Sequence, residues 1–287
     1  NSFTVSGLAV RFATTSDSKP VYGYQIKSAS VQGLGVITPK PITASVDING
    51  SDKIYDGYTV ATDSRLSGHI SQGLNGDEFA LDSSGISLNF NNAHVAEATM
   101  VSASGSLALG ANSSVLDGDG VSNAVKGRAG DYALTQPLIT PVNQHILAQS
   151  LDATASILGS DKVYDGLTVA TNSTVSGSTS GGLNGDSFAL DTSGISLNFN
   201  SAHVAAATSI SASGNATLGT NSGTASGDGT TQAVKGVASD YALSQPVINA
   251  VSKNITAKSL TATATISGVD KVYDGLTVAT NSTVSGS

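Results

Sequence analysis

The sequence predicts an all-β protein made of tandem domains, and three observations lead to this fold class. The first is a long repeat, in which Tyr55, Tyr164 and Tyr273 follow one another at equal intervals. The second is a series of short β-branched or apolar segments bounded by Gly, Asn, Asp and Ser, as strands are. The third is that no segment carries a sustained apolar stripe at helical spacing. We therefore expect tandem β-sandwich or β-grasp-like domains, arranged as beads in an extended rod.

The repeat also sets the predicted domain boundaries. Its period, the interval from Tyr55 to Tyr164 of about 109 residues, is too long for one turn of a solenoid, which takes about 20–50 residues, but it is the size of a whole domain. Both ends are expected to fall inside a domain, so that the chain is a window on a longer array. The predicted parts are the closing part of a preceding repeat at 1–40, a first full repeat at 41–149, a second full repeat at 150–258 and the opening part of a third at 259–287.

Within each repeat the pattern favours strands separated by tight turns. In "ISLNF", Ile86, Leu88 and Phe90 alternate with polar residues, which is typical of a strand with one buried face. The Ala-rich segment at 92–104 favours a helix by composition, but its second half follows the strand period, so we predict a loop followed by a strand. The other predicted strands of the first repeat are "TVAT" at 59–62, "EFAL" at 78–81 and "YALTQPLI" at 132–139, with turns at Asn49–Gly50, Leu74–Asp77 and Asp117–Gly120.

Composition and charge exclude several classes of function. The chain has no Cys, which removes disulfides, zinc–thiolate sites and thiol nucleophiles. Its net charge of −8 includes no basic run, whereas nucleic acids and anionic membranes require a positive surface. No apolar run approaches the ~20 residues of a membrane span. We therefore predict no nucleic-acid partner and no membrane insertion in this segment.

A Tyr-Asp-Gly motif occurs once in each copy of the repeat, as "SDKIYDG", "SDKVYDG" and "VDKVYDG". We predict an architectural role, in which the Tyr ring covers the end of the core and its hydroxyl bonds to nearby backbone. Asp-Gly then makes a turn with Gly at positive φ. The alternative is that Tyr and Asp contact a ligand. The residues concerned are Tyr55, Asp56 and Gly57, then Tyr164, Asp165 and Gly166, and finally Tyr273, Asp274 and Gly275.

These motifs, together with "GLNGD", "SGISLNF" and the closing "DYALSQP", resemble the YDG-type repeat of large secreted bacterial surface proteins, including filamentous-haemagglutinin-like adhesins of two-partner secretion. The chain departs from that pattern where Leu167 and Leu276 replace a Thr, and where Asp131 and Asp240 replace an Asn. The period is also longer than is usual in the family. The resemblance implies an extracellular location at the bacterial cell surface and a stalk or biofilm-matrix role in cell adhesion, and it brings no catalytic residues.

The remaining polar residues form no constellation that predicts catalysis. His94 and His203 are equivalent in the two repeats, but one His per repeat supplies neither a triad nor a set of three metal ligands. We therefore predict a protein that is not an enzyme, with no cofactor, although Asp-rich loops raise calcium as an alternative. The acidic set is Asp77, Asp82, Asp117, Asp119 and Asp131, with Asp117, Asp119 and the second-repeat Asp228 as the calcium candidates.

Three functions stay open from the sequence. The first is a structural stalk or matrix module whose partners are neighbouring repeats. The second is a filament subunit, in which incomplete end repeats complete one another by strand addition. The third is a module that binds a surface glycan or a host protein through the loops at Leu116–Lys126 and Ala225–Lys235, which differ most between the copies.

Overall fold

The computed structural model describes residues 2–8, 16–20 and 30–287. In these residues the protein is nearly all β, and the only helical elements there are four 3-10 turns of three residues each. The all-β class predicted from the sequence is confirmed. Within the same ranges, no helix is long and apolar enough to cross a membrane. The sandwich or grasp-like arrangement and the rod of beads stay predictions.

The strands of the described residues are short and are numbered in chain order. The first twelve are β1 Ser2–Ser6, β2 Ser30–Leu34, β3 Lys40–Asn49, β4 Lys53–Ile54, β5 Arg65–Ile70, β6 Phe79–Asp82, β7 Ile86–Phe90, β8 Met100–Gly105, β9 Ala108–Asn112, β10 Tyr132–Thr135, β11 Val142–Asn143 and β12 Ile146–Leu147. The others are β13 Gln149–Leu158, β14 Lys162–Val163, β15 Thr174–Thr179, β16 Phe188–Asp191, β17 Ile195–Phe199, β18 Ser209–Gly214, β19 Thr217–Asn221, β20 Tyr241–Ser244, β21 Val251–Ser252, β22 Ile255–Thr256, β23 Ala264–Ser267 and β24 Thr283–Gly286. The 3-10 turns are Leu74–Gly76, Ala129–Asp131, Leu183–Gly185 and Ala238–Asp240.

The chain forms two compact units whose boundaries interleave along the sequence. The first unit comprises the described residues of Asn1–Asp52 together with Val60–Asn91 and Thr99–His145, and the second comprises Lys53–Thr59, Asn92–Ala98 and Ile146–Ser287. Two short segments of the first sequence repeat, 53–59 and 92–98, therefore belong to the second unit. The four-part division of the chain stays a prediction, and residues 1, 9–15 and 21–29 of the supposed preceding repeat lie outside the described residues.

The first unit holds small sheets of two or three strands. The central strand β3 pairs in parallel with β10 and antiparallel with β5, while β8 lies between β7 and β11. Two antiparallel pairs, β1 with β2 and β6 with β9, complete the unit. Strand β3 forms because Ile42, Val46 and Ile48 alternate with polar residues and are all buried. Phe79 and Tyr132 pack with Ile42 in the core.

The second unit repeats this pattern. Strand β13 lies between β20 and β15, β18 lies between β17 and β21, and β16 pairs with β19. Its core clusters around Phe199, Ile210 and Ile255, and each such buried side chain contributes about 1.5–3 kcal/mol. The unit also holds the parallel pairs β14 with β22 and β4 with β12, and the antiparallel pair β23 with β24.

The elements recur at the sequence period. Each strand from β3 to β12, and each 3-10 turn of the first repeat, has a counterpart of the same length one period later. Strands β23 and β24 stand one period after the C-terminal part of β13 and the N-terminal part of β15. A sequence period therefore corresponds to a structural period of the same length.

Some of the individual strand predictions are confirmed and others are wrong. Strand β7 coincides with the predicted "ISLNF", and 92–104 is a loop followed by β8, as expected. The predicted strand at 59–62 is wrong, since only Val60 forms an isolated bridge, to Asn89. The strand predicted over 132–139 ends at Thr135, because the Gln136 side chain bonds instead to the backbone of Leu107 and Pro137 has no N–H to donate.

Candidate functional site

The Tyr-Asp-Gly motif begins with a local clamp. Lys53 Nζ donates to Asp56 Oδ1 at 2.7 Å and to the Tyr58 carbonyl at 2.7 Å, and the Tyr58 amide donates to the same carboxylate oxygen at 2.9 Å. The same bonds occur between Lys162, Asp165 and the residue after Gly in the second copy. The Lys271–Asp274 pair of the third copy is equally short, at 2.8 Å. The Lys–Asp bond and the bond from the amide after Gly to the same Asp therefore form in all three copies, whatever surrounds them.

The glycine of the motif has the predicted backbone conformation. Gly57, Gly166 and Gly275 have φ of 85°, 84° and 76°, the left-handed region that favours glycine. At Gly57 space is also limiting, because a Cβ would lie 2.8 Å from Asn184 Nδ2 and 2.9 Å from Ala233 Cβ. A residue with a side chain at Gly57 would strain the backbone, and its side chain would also clash with the second repeat.

The tyrosine of the motif, unlike the clamp, differs from copy to copy. Tyr55 is 1% exposed, Tyr164 is 39% exposed and Tyr273 is 92% exposed. The ring of Tyr55 packs edge-to-face on Tyr241, with ring centroids 5.5 Å apart. Because the motif is nearly the same in all three copies, the burial of its tyrosine depends on which residues pack against the ring. Tyr55 is covered by the second repeat.

Two segments of the first repeat make this contact, and we call 53–59 and 92–98 the docking segments. Residues 227–241 of the second repeat, which we call the receiving segment, face them within the second unit. The Thr59 amide donates to the Gly229 carbonyl at 2.6 Å, and the Val234 amide donates to the Gly57 carbonyl at 3.0 Å. The approach is close because Gly229 has no side chain, and a Cβ there would lie 3.1 Å from that of Ala93.

A buried carboxylate anchors the second docking segment. Asp240, which is completely buried, has Oδ2 at 2.7 Å from His94 Nδ1, and its Oδ1 accepts the Val95 amide at 2.8 Å. The Val237 amide donates to Oδ2 at 2.9 Å within the receiving segment. Since a carboxylate accepts, Nδ1 is the protonated nitrogen of His94. A buried charge surrounded by three donors fixes the position of both segments.

The hydroxyl of Tyr55 differs from the sequence expectation. We expected it to bond to nearby backbone, but no hydrogen-bond partner for this buried atom exists in the part of the chain that the structure describes. Burial, and after it the negative charges of Asp240 and Asp186, raise the pKa of Tyr55 above its ordinary value. The phenol is therefore neutral at any physiological pH, and its contribution to docking comes from its ring.

Beneath the receiving segment lies a second buried carboxylate. Asp186 accepts the Tyr241 hydroxyl at 2.7 Å, Asn221 Nδ2 at 2.6 Å and the Gly236 amide at 3.1 Å. The first repeat has the same network around Asp77, which accepts from Tyr132, Asn112 and Gly127. Burial acts to raise the pKa of Asp77, but the hydrogen bonds outweigh it, and the pKa is lowered. The Asp of "GLNGD" is thus a structural acceptor.

Two of the three calcium candidates, Asp119 and Asp228, accept hydrogen bonds from protein donors. Asp119 Oδ1 accepts the amides of Val121, Ser122 and Asn123 at 2.8–2.9 Å, and these bonds lower its pKa to about 2. Asp228 bonds in the same way to the loop that follows it, and its pKa is also lowered. Asp117 has no counterpart carboxylate in the second repeat, where Ser226 stands. Among the described residues, no group of three or more His, Asp or Glu could hold a metal ion.

Sequence reasoning missed the two residues that matter most here. Asp240 was noted only as a departure from the family pattern, and His94 only as a repeated histidine. They are 146 residues apart in the chain, so neither spacing nor periodicity joins them. The available signal was that both residues recur in the other repeat, where His203 corresponds to His94 and Asp131 corresponds to Asp240.

Comparison with known proteins gives one positive finding. Residues 38–115 match the model of the YDG domain, a range that includes both docking segments and ends before the first-repeat counterpart of the receiving segment. No curated protein and no solved structure matches the chain. The local clamp, the positive-φ glycine and the matched range coincide on the same motif. A YDG domain is therefore detected at residues 38–115.

Proposed function

We propose that this chain is a structural spacer, the stalk or matrix part of an extracellular bacterial surface protein, and not an enzyme. The observation that carries the proposal is the coupling of consecutive repeats, in which the docking segments of the first repeat fold into the unit of the second. A repeat that folds alone and meets its neighbour through flexible linkers would need no such segments. Coupled tandem domains are what a load-bearing spacer requires.

The composition supports an exported location. A chain without Cys cannot form wrong disulfides during export, and only 12% of its residues are charged, so its surface is dominated by neutral hydroxyl and amide groups. The resemblance to secreted surface repeats points in the same direction. Protease treatment of intact cells tests the location, because an exposed stalk is degraded while a cytoplasmic protein survives.

Small-angle scattering tests the spacer role itself. Chains that carry one and two additional copies of the repeat should gain length by a constant increment of about 30–40 Å per copy, the size of one domain. A matched chain in which Tyr55→Ser and His94→Ala loosen the joint should show a broader distance distribution. A maximum dimension that grows only as the cube root of mass would contradict the rod.

A further inference from the structure

We propose that each repeat resists a pulling force through one pair of strands, the long strand that opens the repeat and a strand near its end. These terminal pairs are β3 with β10 in the first repeat and β13 with β20 in the second. The inference rests on the spacer role in one respect, which is that a spacer is pulled at its two ends. The resistance itself is a property of each repeat.

The two strands of each terminal pair run in parallel. Lys40, at the start of β3, lies opposite Tyr132, and three residues later Thr43 lies opposite Thr135. Strands β13 and β20 pair in the same register one period further along the chain. Because the strands are parallel, the chain enters the pair at the N-terminal end of β3 and leaves it at the opposite end, the C-terminal end of β10.

A pull on the ends of the chain therefore acts along the terminal pair. The points of entry and exit, Lys40 and Thr135, lie three residues apart along the strands, which is about 10 Å, and one strand apart across them, which is about 4.8 Å. Such a force slides one strand along the other and loads all the backbone hydrogen bonds of the pair at once. A pull across the strands opens the bonds one after another. A pair that is loaded along its strands thus withstands the larger force.

The terminal pair also shields the strands that lie between its members in sequence. While the pair holds, the force passes from β3 to β10, and strands β6 to β9 of the same unit carry little of it. The chain between Lys40 and Thr135, about 96 residues, stays folded until the pair separates. It then extends by about 310–350 Å, at about 3.3–3.6 Å per residue.

Apolar side chains cover one face of each terminal pair. Ile42 lies opposite Leu134 in the first repeat, and Leu151 lies opposite Leu243 in the second. Ile42 and Leu151 are buried, and Leu134 packs against the core cluster that contains Ile42. Because this cover keeps water from one face, a strained backbone hydrogen bond is not readily exchanged for a bond to water. The same protection is present in both repeats.

A second, shorter parallel pair lies further along the path of the force. Strand β12 pairs in parallel with β4, and β22 pairs in parallel with β14. The pairs are anchored by Ile146 of β12 and Ile255 of β22, each of which is 1% exposed. A pull from the C-terminal side reaches β12 at its C-terminal end, so this pair is loaded along its strands as well.

Single-molecule force spectroscopy tests the proposal on the whole 287-residue chain. Because the chain has no Cys, two introduced cysteines define the points where the force is applied. Lys40→Cys with Thr135→Cys applies the force along the first terminal pair, and Thr43→Cys with Thr135→Cys applies it across the same pair. All three positions are exposed, and the two variants share one attachment point, so each variant is the matched control of the other.

We expect the unfolding force at a given loading rate to be at least about twofold larger along the pair than across it, because forced unfolding is governed by the unfolding rate in the pulled direction. Thermal unfolding of both variants should match the parent, so that the difference reports direction and not stability. The parent chain pulled by its ends should show two events of equal extension, one for each repeat, at the larger force. Equal forces in the two directions, or a parent chain that yields at the smaller force, overturn the proposal.

Failure of this proposal and failure of the spacer role give different results. Equal forces in the two directions remove the terminal pair as the source of resistance and leave the length increment in scattering unchanged. A maximum dimension that grows only as the cube root of mass contradicts the spacer and leaves the directional difference in force unchanged.

Discussion

At the residue scale, the contrast between Tyr55 and Tyr241 shows two uses of a buried phenol. Tyr241 donates its hydroxyl to Asp186, while the hydroxyl of Tyr55 has no partner among the described residues. The first hydroxyl satisfies a buried carboxylate, and the second is desolvated without compensation. A buried tyrosine hydroxyl is thus stabilising at Tyr241 and destabilising at Tyr55.

Replacement of each hydroxyl separates these effects. Tyr55→Phe should leave the free energy of unfolding unchanged or raise it by up to about 1 kcal/mol, because it removes an unsatisfied buried group. Tyr241→Phe should lower it by about 1–3 kcal/mol, because Asp186 loses a donor. Urea unfolding followed by far-UV circular dichroism measures both. Destabilisation by Tyr55→Phe equal to that by Tyr241→Phe would contradict the geometry.

The two equivalent histidines offer a matched pair for the docking contact. His94→Ala should destabilise the second unit by about 1–3 kcal/mol, because buried Asp240 loses one of its three donors. His203→Ala, on the exposed counterpart, should change the stability of the monomer by less than about 0.5 kcal/mol. Differential scanning calorimetry at low protein concentration measures the two, and equal effects would show that the buried pair contributes nothing.

At the scale of elements, what the sequence could predict depends on how local the cause is. Strand β7 and the turn at Leu74–Gly76 follow from alternation and from Asn-Gly chemistry, and both were predicted. The end of β10 was missed because the Gln136 side chain takes the place of a ladder partner. The contact of 92–98 with the receiving segment was beyond prediction, because it joins residues more than a hundred positions apart.

The hydrogen bonds to Asp119 predict how the stability of the chain changes at acidic pH. Because the Asn123, Val121 and Ser122 amides hold the folded pKa of Asp119 at about 2, against about 3.9 when unfolded, the turn adds stability above pH 4 and loses it as the pH falls toward 2. The stability difference between the parent chain and Asp119→Ala should be constant from pH 7 to about pH 4 and then shrink. Urea midpoints across this range measure it, and a difference that persists at pH 2 would contradict the assignment.

At the scale of the whole molecule, five of the described carboxylates are bound by protein donors. Asp77, Asp186 and Asp240 each accept several protein donors, and Asp119 and Asp228 accept the amides of their own loops. Calcium binds strongly only where several oxygens converge, and among the described residues no group of three or more His, Asp or Glu could hold a metal ion.

Removal of calcium should therefore leave the molecule unchanged. The melting temperature in excess chelator should agree with that in millimolar calcium within about 1 °C, in contrast to domains whose folding depends on calcium. Scanning calorimetry of the dialysed chain, with magnesium as the control ion, makes the comparison. A rise of several degrees that is specific to calcium would point to a site formed at Asp117 or Asp119.

The interleaving of the two units has a consequence for how such a gene changes length. The joint between the two repeats uses residues more than one period apart, such as His94 and Asp240 at 146 positions, so the sequence unit and the folded unit are out of phase. Recombination that deletes or duplicates one whole period, wherever the crossover falls, again places a Tyr-Asp-Gly segment before a segment that can cover it. Selection can thus shorten or lengthen the protein in whole periods, and no crossover requires a new joint to evolve.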